Sequence, residues 1–126
     1  MKILIVDDDD DIRRIALFSL GRLGGHEVSD APAGAAGIER ARRDVPDVIL
    51  LDVMMPVMDG PATLAALRAD PVTATVPVIF LTAKALRAEV ERLVSLGASG
   101  VLTKPFDPRT LSDDLERVLA GAGLEG

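Results

Sequence analysis

KILIVDDDDDIRRIALFSLGRLGG, residues 2 to 25, contains one complete strand, loop and helix unit. Lys2 to Val6 is a short apolar run rich in β-branched residues, which is typical of a buried strand, and it leads into five consecutive aspartates. From Ile12 onward, apolar residues recur with the spacing of an amphipathic helix, which Gly24 and Gly25 end. The stretch therefore predicts a buried strand whose carboxyl end carries an acidic loop.

The same alternation of strand and helix continues to the end of the chain. Further strands are predicted at His26 to Asp30, Asp47 to Leu51, Val76 to Leu81 and Gly100 to Thr103. Further helices are predicted at Gly34 to Arg43, Gly60 to Ala69, Leu86 to Leu96 and Pro108 to Ala120. Because parallel strands need crossover connections and bury both faces, five such units predict an α/β fold with one open parallel sheet between helices.

Composition limits the function classes. The 126 residues suit one domain, and the absence of cysteine excludes disulfides, thiolate metal sites and cysteine nucleophiles. The net charge is −6, of which Asp7 to Asp11 contribute five, so the remaining surface predicts no nucleic-acid binding. The longest uncharged stretch, 13 residues from Pro71 to Ala83, is shorter than the roughly 17 to 25 residues of a membrane span. With no secretory signal at residues 1 to 6, a cytoplasmic protein without membrane insertion is predicted.

Polar side chains follow four of the predicted strands, at the edge where ligands bind in open α/β sheets. They are Asp7, Asp8, Asp52, Thr82 and Lys104. Carboxylates suit Mg²⁺, a carboxylate can act as a nucleophile toward phosphorus, and a lysine and a hydroxyl can stabilise phosphoryl oxygens. His26 begins a strand away from this set, so general-base hydrolysis is poorly supported. The set predicts phosphoryl chemistry that depends on a metal ion.

Four motifs carry a resemblance to a known family. They are ILIVDDD at 3 to 9, VILLDVMMPVMDG at 48 to 60, VPVIFLTA at 76 to 83 and TKPF at 103 to 106. In this order and spacing the sequence resembles the receiver domain of two-component response regulators over residues 1 to 121. The resemblance implies a flavodoxin-like, doubly wound sheet with strand order 2-1-3-4-5. Residues 122 to 126 are then expected to form a flexible C-terminal tail.

The resemblance also implies a role for each site residue. Asp52 corresponds to the phosphoacceptor, which takes a phosphoryl group from a sensor histidine kinase or a histidine phosphotransferase protein. Asp7, Asp8, Asp52 and the backbone carbonyl of Met54 correspond to ligands of Mg²⁺, or of Mn²⁺ in its place. Thr82 and Lys104 are expected to contact the phosphoryl group. The peptide bond between Lys104 and Pro105 is expected to be cis.

A protein of this kind is expected to be a phosphorylation-dependent signalling switch. It would assist its own phosphorylation and dephosphorylation rather than act as an enzyme, with Met54 and Lys84 flanking the reactive group. Its partners would be the kinase and a downstream effector protein or domain, with the chain a monomer or a phosphorylation-dependent dimer. Val101 stands where the family usually has Tyr or Phe, so the output is expected to move through the loop at Thr82 to Arg87 and the fourth helix.

Two rival functions and one structural interpretation remain open at this point. A phosphohydrolase of the haloacid dehalogenase type would use Asp7 as its nucleophile, with Asp9 completing a D-x-D motif, although Asp11 stands where Thr or Val is expected. A flavin-binding module would place a phosphate against five carboxylates, which electrostatics disfavours. Asp9, Asp10 and Asp11 are most simply explained as negative residues at the start of the first helix, with Asp10 as its cap.

Overall fold

The computed structural model describes residues 1–123 and contains five parallel strands. The strands are β1 (Lys2–Val6), β2 (Glu27–Ala31), β3 (Val48–Asp52), β4 (Val78–Thr82) and β5 (Gly100–Thr103). The helices are α1 (Asp10–Ala16), which continues as a π-helix (Leu17–Leu23), α2 (Gly34–Arg43), α3 (Gly60–Ala69), α4 (Arg87–Ser95) and α5 (Leu111–Gly121). The strand order is β2-β1-β3-β4-β5, which confirms the predicted doubly wound sheet. Of the predicted tail, residues 124–126 lie outside the described residues.

The core consists of two apolar layers, one on each face of the sheet. One layer joins the sheet to α2, α3 and α4, and the other joins it to α1, the π-helix and α5. Successive residues of a strand point to opposite faces, so each central strand supplies both layers. The first layer takes Leu4, Val6, Ile49, Leu51, Val78 and Phe80, and the second takes Ile3, Ile5, Val48, Leu50, Ile79 and Leu81. Within residues 1–123, no helix is long and apolar enough to cross a membrane.

Two of the central strands begin and end later than the sequence predicted. β3 begins at Val48, and Asp47 before it is tied to β1 by its N–H, which donates to the Lys2 carbonyl at 2.8 Å, and by its carboxylate, which accepts from the Lys2 N–H at 2.7 Å. β4 begins at Val78, directly after Pro77, which has no N–H to donate to a ladder. Both strands also end one residue later than predicted, at Asp52 and Thr82, because these residues still pair with Leu81 and Thr103 of the neighbouring strands.

The start of the first helix also differs from the prediction. Asp9, not Asp10, is the N-cap, and its carboxylate accepts hydrogen bonds from the backbone N–H groups of Asp11 and Ile12 at 2.8 and 3.4 Å. The side chain of Asp10 pairs with Arg13 instead. After Ala16 the helix widens into a π-helix, which apolar spacing cannot distinguish from an α-helix.

The last helix is shorter at its start than predicted. α5 begins at Leu111, not at Pro108, because Asp107 folds the preceding residues into a turn. The carboxylate of Asp107 accepts a hydrogen bond from the N–H of Arg109 at 2.9 Å, and its carbonyl accepts one from the N–H of Leu111 at 3.0 Å.

Gly60, the first residue of α3, lies against the end of β3. A Cβ at this position would lie 2.4 Å from the carbonyl oxygen of Asp52 and 2.8 Å from a ring carbon of Phe80. The residue is glycine because a side chain has no room there. The close approach fixes the start of α3, capped by Asp59, beside Asp52.

Candidate functional site

The carboxyl ends of β1, β3, β4 and β5 meet at one edge of the sheet, because these strands are parallel neighbours. The cleft at this edge has a volume of about 240 Å³. A water molecule occupies roughly 30 Å³, so the cleft has room for a hydrated cation and a phosphoryl group. Its lining includes every predicted site residue: Asp7, Asp8, Asp52, Met54, Thr82 and Lys104.

Three carboxylates form the acidic part of the cleft. Asp7 is completely buried, Asp52 is 3% exposed and Asp8 is exposed to solvent. One carboxylate oxygen from each lies within 4.8 Å of the others. Oxygen donors at this spacing, with an open side for water, fit a hard divalent cation such as Mg²⁺. The residues present therefore suit the metal that the resemblance implied.

Lys104 bridges the two buried carboxylates. Its ammonium donates to Asp52 Oδ1 at 2.9 Å and to Asp7 Oδ2 at 3.3 Å. The Lys104 to Pro105 peptide is cis, as the resemblance implied. Burial lowers the pKa of Lys104, but hydrogen bonding to Asp52 and the charge of Asp7 outweigh it and raise that pKa above its ordinary value. Lys104 is therefore charged and offsets part of the cleft's negative charge.

Asp52 has an elevated pKa for a carboxyl group. Burial, together with the nearby charge of Asp7, raises the pKa of Asp52 from 3.8 to about 6. The bonds from Lys104 and from the N–H of Met54, the latter at 3.3 Å, act in the opposite direction. At neutral pH the carboxylate is ionised but poorly solvated, a state that favours attack on an electrophile.

The raised pKa of Asp52 makes stability depend on pH. The folded chain holds the Asp52 proton up to about pH 6, whereas the unfolded chain releases it near pH 3.8, so this group lowers the free energy of unfolding as pH rises between those values. In EDTA at pH 7.5, Asp52→Asn should raise the free energy of unfolding by about 1 to 3 kcal/mol.

Urea denaturation at pH 7.5 and at pH 4 measures this difference, which should vanish at pH 4. Asparagine keeps an oxygen that can accept from Lys104 and Met54, so the comparison isolates the charge. A variant less stable than the unsubstituted chain at pH 7.5 would contradict the expected sign.

The hydroxyl of Thr82 lies at the cleft, but it is hydrogen-bonded to the backbone of the nearby Lys84. Its Oγ1 donates to the carbonyl oxygen of Lys84 and accepts from the N–H of Lys84, both at 3.2 Å. To donate to a phosphoryl oxygen, the hydroxyl must release the Lys84 carbonyl. Any ligand that recruits Thr82 as a donor therefore breaks this hydrogen bond to the loop that leads into α4.

The side chains outside this set have other surroundings. The side chain of Met54 is 80% exposed at the rim, and Lys84 is exposed. Val101 is half-buried against the apolar layer that contains α4. His26 lies away from the cleft, with Nε2 3.0 Å from the Ser112 hydroxyl, so it takes no part in the site.

Sequence reasoning missed two residues near the cleft. Asp9 lines it, although the sequence indicated a helix-start role and, in the phosphohydrolase alternative alone, a place in a D-x-D motif. Arg13 contacts the backbone of Asp7, but on the sequence it is one of two adjacent arginines on a helix, and no spacing signal distinguishes it from Arg14. The site residues that the sequence did predict all line the cleft.

Comparisons with known proteins agree on one family. The family model described as the response regulator receiver domain matches residues 3–116. The transcriptional regulatory protein CseB of Streptomyces coelicolor is 40% identical over 124 residues, which are 98% of this chain and 51% of that protein. The response regulator PleD of Caulobacter vibrioides is 42% identical over 106 residues, 84% of this chain and 23% of that protein. The chain thus spans about half, or less, of the length of these curated relatives.

Solved structures give the same result for the fold. The chemotaxis response regulator CheY4 of Vibrio cholerae aligns with a TM-score of 0.86 and 36% identity, covering 94% of this chain and 98% of that one. The receiver domain of the Francisella response regulator 1452 aligns with a TM-score of 0.82 and 28% identity, covering 95% and 97%.

Proposed function

The chain belongs to the receiver-domain family of two-component response regulators, and from that membership we propose that Asp52 accepts a phosphoryl group from a phosphohistidine of a partner protein. That partner is a sensor histidine kinase or a histidine phosphotransferase protein. The observation that carries the proposal is the pairing of Asp52 with Lys104 at 2.9 Å inside a cleft that also holds Asp7 and Asp8.

The proposed transfer uses the chain's own groups in distinct roles. One Asp52 oxygen accepts from Lys104 and Met54, which leaves the other free to attack phosphorus as the bond to the histidine nitrogen breaks. Lys104 and the hydroxyl of Thr82 stabilise charge on the phosphoryl oxygens. A Mg²⁺ or Mn²⁺ ion held by Asp7, Asp8, Asp52 and the Met54 carbonyl would supply further positive charge.

The proposal makes the chain a phosphoacceptor that also assists the loss of its phosphoryl group. Hydrolysis follows when water attacks phosphorus and Asp52 leaves as a carboxylate. Met54 and Lys84 have exposed side chains beside the cleft, so they are placed to limit the approach of water. The charges that assist the forward transfer assist this step as well.

The proposed output begins at Thr82. Recruitment of its hydroxyl by the phosphoryl group would break its bond to the Lys84 carbonyl and release the loop into α4. Val101, with two methyl groups and one stiff torsion, cannot swing as a ring would, so the change is carried by the backbone from Thr82 to Arg87 and by α4. Downstream effectors would recognise that change, with the chain a monomer or a phosphorylation-dependent dimer.

The proposal treats residues 1–121 as one receiver domain. α5 ends at Gly121, which supports that boundary. The curated relatives are longer than this chain, and we propose that an output domain or a separate effector protein receives the signal. Receiver domains are typically cytoplasmic, and the same location is proposed here.

The phosphohydrolase alternative, with Asp7 as nucleophile, is not supported. The family match is to receiver domains. The carboxylate of Asp7 is also completely buried, and both of its oxygens are engaged, Oδ1 by the N–H of Asp9 at 2.9 Å and Oδ2 by Lys104. Asp52 instead receives its bonds from Lys104 and Met54 on Oδ1 alone, so its other oxygen is the better placed nucleophile.

Acetyl phosphate tests the proposed function without a partner protein. With Mg²⁺ the intact chain should gain one phosphate, and in EDTA the gain should be lost, because the acidic residues need a cation to bring a phosphoryl group close. After removal of the donor, the label should decay faster in Mg²⁺ than in EDTA. Intact-mass spectrometry follows both steps, and undiminished labelling in EDTA would count against the site.

A further inference from the structure

Arg13 lies on a surface helix, but neighbouring residues enclose most of its side chain. Its side chain, on α1, is only 14% exposed. The guanidinium donates to the backbone carbonyl of Asp7 at 2.8 Å, to the carboxylate of Asp30 at 3.0 Å and to the carboxylate of Asp10. Burial lowers the pKa of Arg13, but the two carboxylates outweigh that effect and raise it above the ordinary value. The charged guanidinium of Arg13 therefore connects three segments: the loop after β1, the end of β2 and the first turn of α1.

The contact with Asp7 reaches the cation site through the backbone. The carbonyl of Asp7 belongs to the planar peptide that also contains the nitrogen and Cα of Asp8. A donor that fixes this oxygen fixes the plane, and with it the N–Cα bond axis about which the Asp8 side chain is placed. The N–H of Asp7 donates to the carbonyl oxygen of Ala31 at 3.2 Å, and Arg13 donates to the carbonyl oxygen of Asp7. Both backbone polar groups of Asp7 are therefore hydrogen-bonded.

We propose that Arg13 is a positioning residue for the divalent-cation site, acting through the peptide between Asp7 and Asp8. This inference rests on the metal site of the proposed function. It concerns how the carboxylates are presented, and it assigns Arg13 no contact with the cation or with the phosphoryl group.

Charge and positioning predict opposite effects on cation affinity. A positive charge close to the site repels Mg²⁺, so by charge alone Arg13→Met should tighten Mg²⁺ binding. If Arg13 positions Asp8, the same variant should weaken binding, because the ligands lose their arrangement. Arg14 offers a matched control, since it lies on the same helix, is 79% exposed and pairs with Asp11 at 3.4 Å.

The test is a Mg²⁺ titration of the unphosphorylated full chain, followed by amide NMR shifts and by the rise in melting temperature. Arg13→Met should weaken Mg²⁺ affinity roughly tenfold, the lower end of what loss of a residue that orients metal ligands costs. Arg14→Met should bind as tightly as the unsubstituted chain or slightly more tightly. Arg13→Lys keeps the charge but cannot make all the hydrogen bonds of the guanidinium, so its Mg²⁺ affinity should lie between those of the unsubstituted chain and Arg13→Met.

Equal or tighter Mg²⁺ binding by Arg13→Met, relative to Arg14→Met, would overturn the proposal. If Arg13→Met does not fold, Arg13→Lys decides, because unchanged affinity in that variant would show that only charge matters. No phosphodonor is present, so a failure of Asp52 to become phosphorylated leaves this test intact. Absence of Mg²⁺ binding by the unsubstituted chain would overturn both the inference and the proposed metal site.

Discussion

Asp52→Asn is expected to abolish phosphorylation by acetyl phosphate. Asparagine has the same shape and keeps an oxygen for Lys104 and Met54, but it lacks the carboxylate that attacks phosphorus. The rate of labelling should fall by at least about 100-fold, which corresponds to roughly 3 kcal/mol in the barrier. Intact-mass spectrometry in saturating Mg²⁺ measures the loss.

Asp59→Asn is the matched control for that experiment. Asp59 caps α3 and does not line the cleft, and asparagine caps helices about as well as aspartate, so the variant removes one carboxylate without removing the acceptor. Its labelling should equal that of the unsubstituted chain. Labelling of Asp52→Asn at a comparable rate would mean that the phosphoryl group resides elsewhere.

Lys104→Met is expected to impair both phosphorylation and stability. Without the ammonium, the phosphoryl oxygens lose a fixed positive charge, and labelling should slow by roughly 100-fold. The buried carboxylates of Asp7 and Asp52 also lose their counter-ion, and breaking a buried ion pair costs about 3 kcal/mol or more. Mg²⁺ should restore part of the stability, because the cation then balances the same carboxylates.

Lys2→Met is the control for the loss of a lysine. Lys2 forms an ion pair with Asp44 at 2.8 Å, but both side chains are largely exposed, so the pair contributes little. Urea denaturation with and without Mg²⁺ compares the two variants. Equal stability losses in Lys104→Met and Lys2→Met, or no recovery in Mg²⁺, would contradict the account of Lys104.

Much of the fold could be predicted from the sequence because its elements are apolar runs with clear ends. α2, α3 and β5 have the predicted bounds, since glycine begins α2, α3 and β5 in the sequence. The strand order could not be obtained from periodicity, because each buried strand looks the same in the sequence. It came only from the resemblance carried by the four motifs.

The convergence of the site could also be predicted, since parallel strands end at one edge of the sheet. Two features could not be predicted from the sequence, the residue that caps α1 and the enclosure of Arg13. Asp9 rather than Asp10 is the cap because the backbone of Asp9 is extended, whereas Asp10 is already the first residue of the helix. The enclosure of Arg13 follows from the position of Asp30 at the end of β2, a contact between residues 17 positions apart. Local patterns carry no information on such pairs.

The phosphorylated residue itself tests the central claim most directly. The chain would be labelled with acetyl phosphate and Mg²⁺, the acyl phosphate reduced with borohydride to homoserine, and the modified residue located by peptide sequencing in a mass spectrometer. The account predicts homoserine at position 52 and an unmodified Asp7. Modification at Asp7, or at another aspartate with position 52 unchanged, would contradict it.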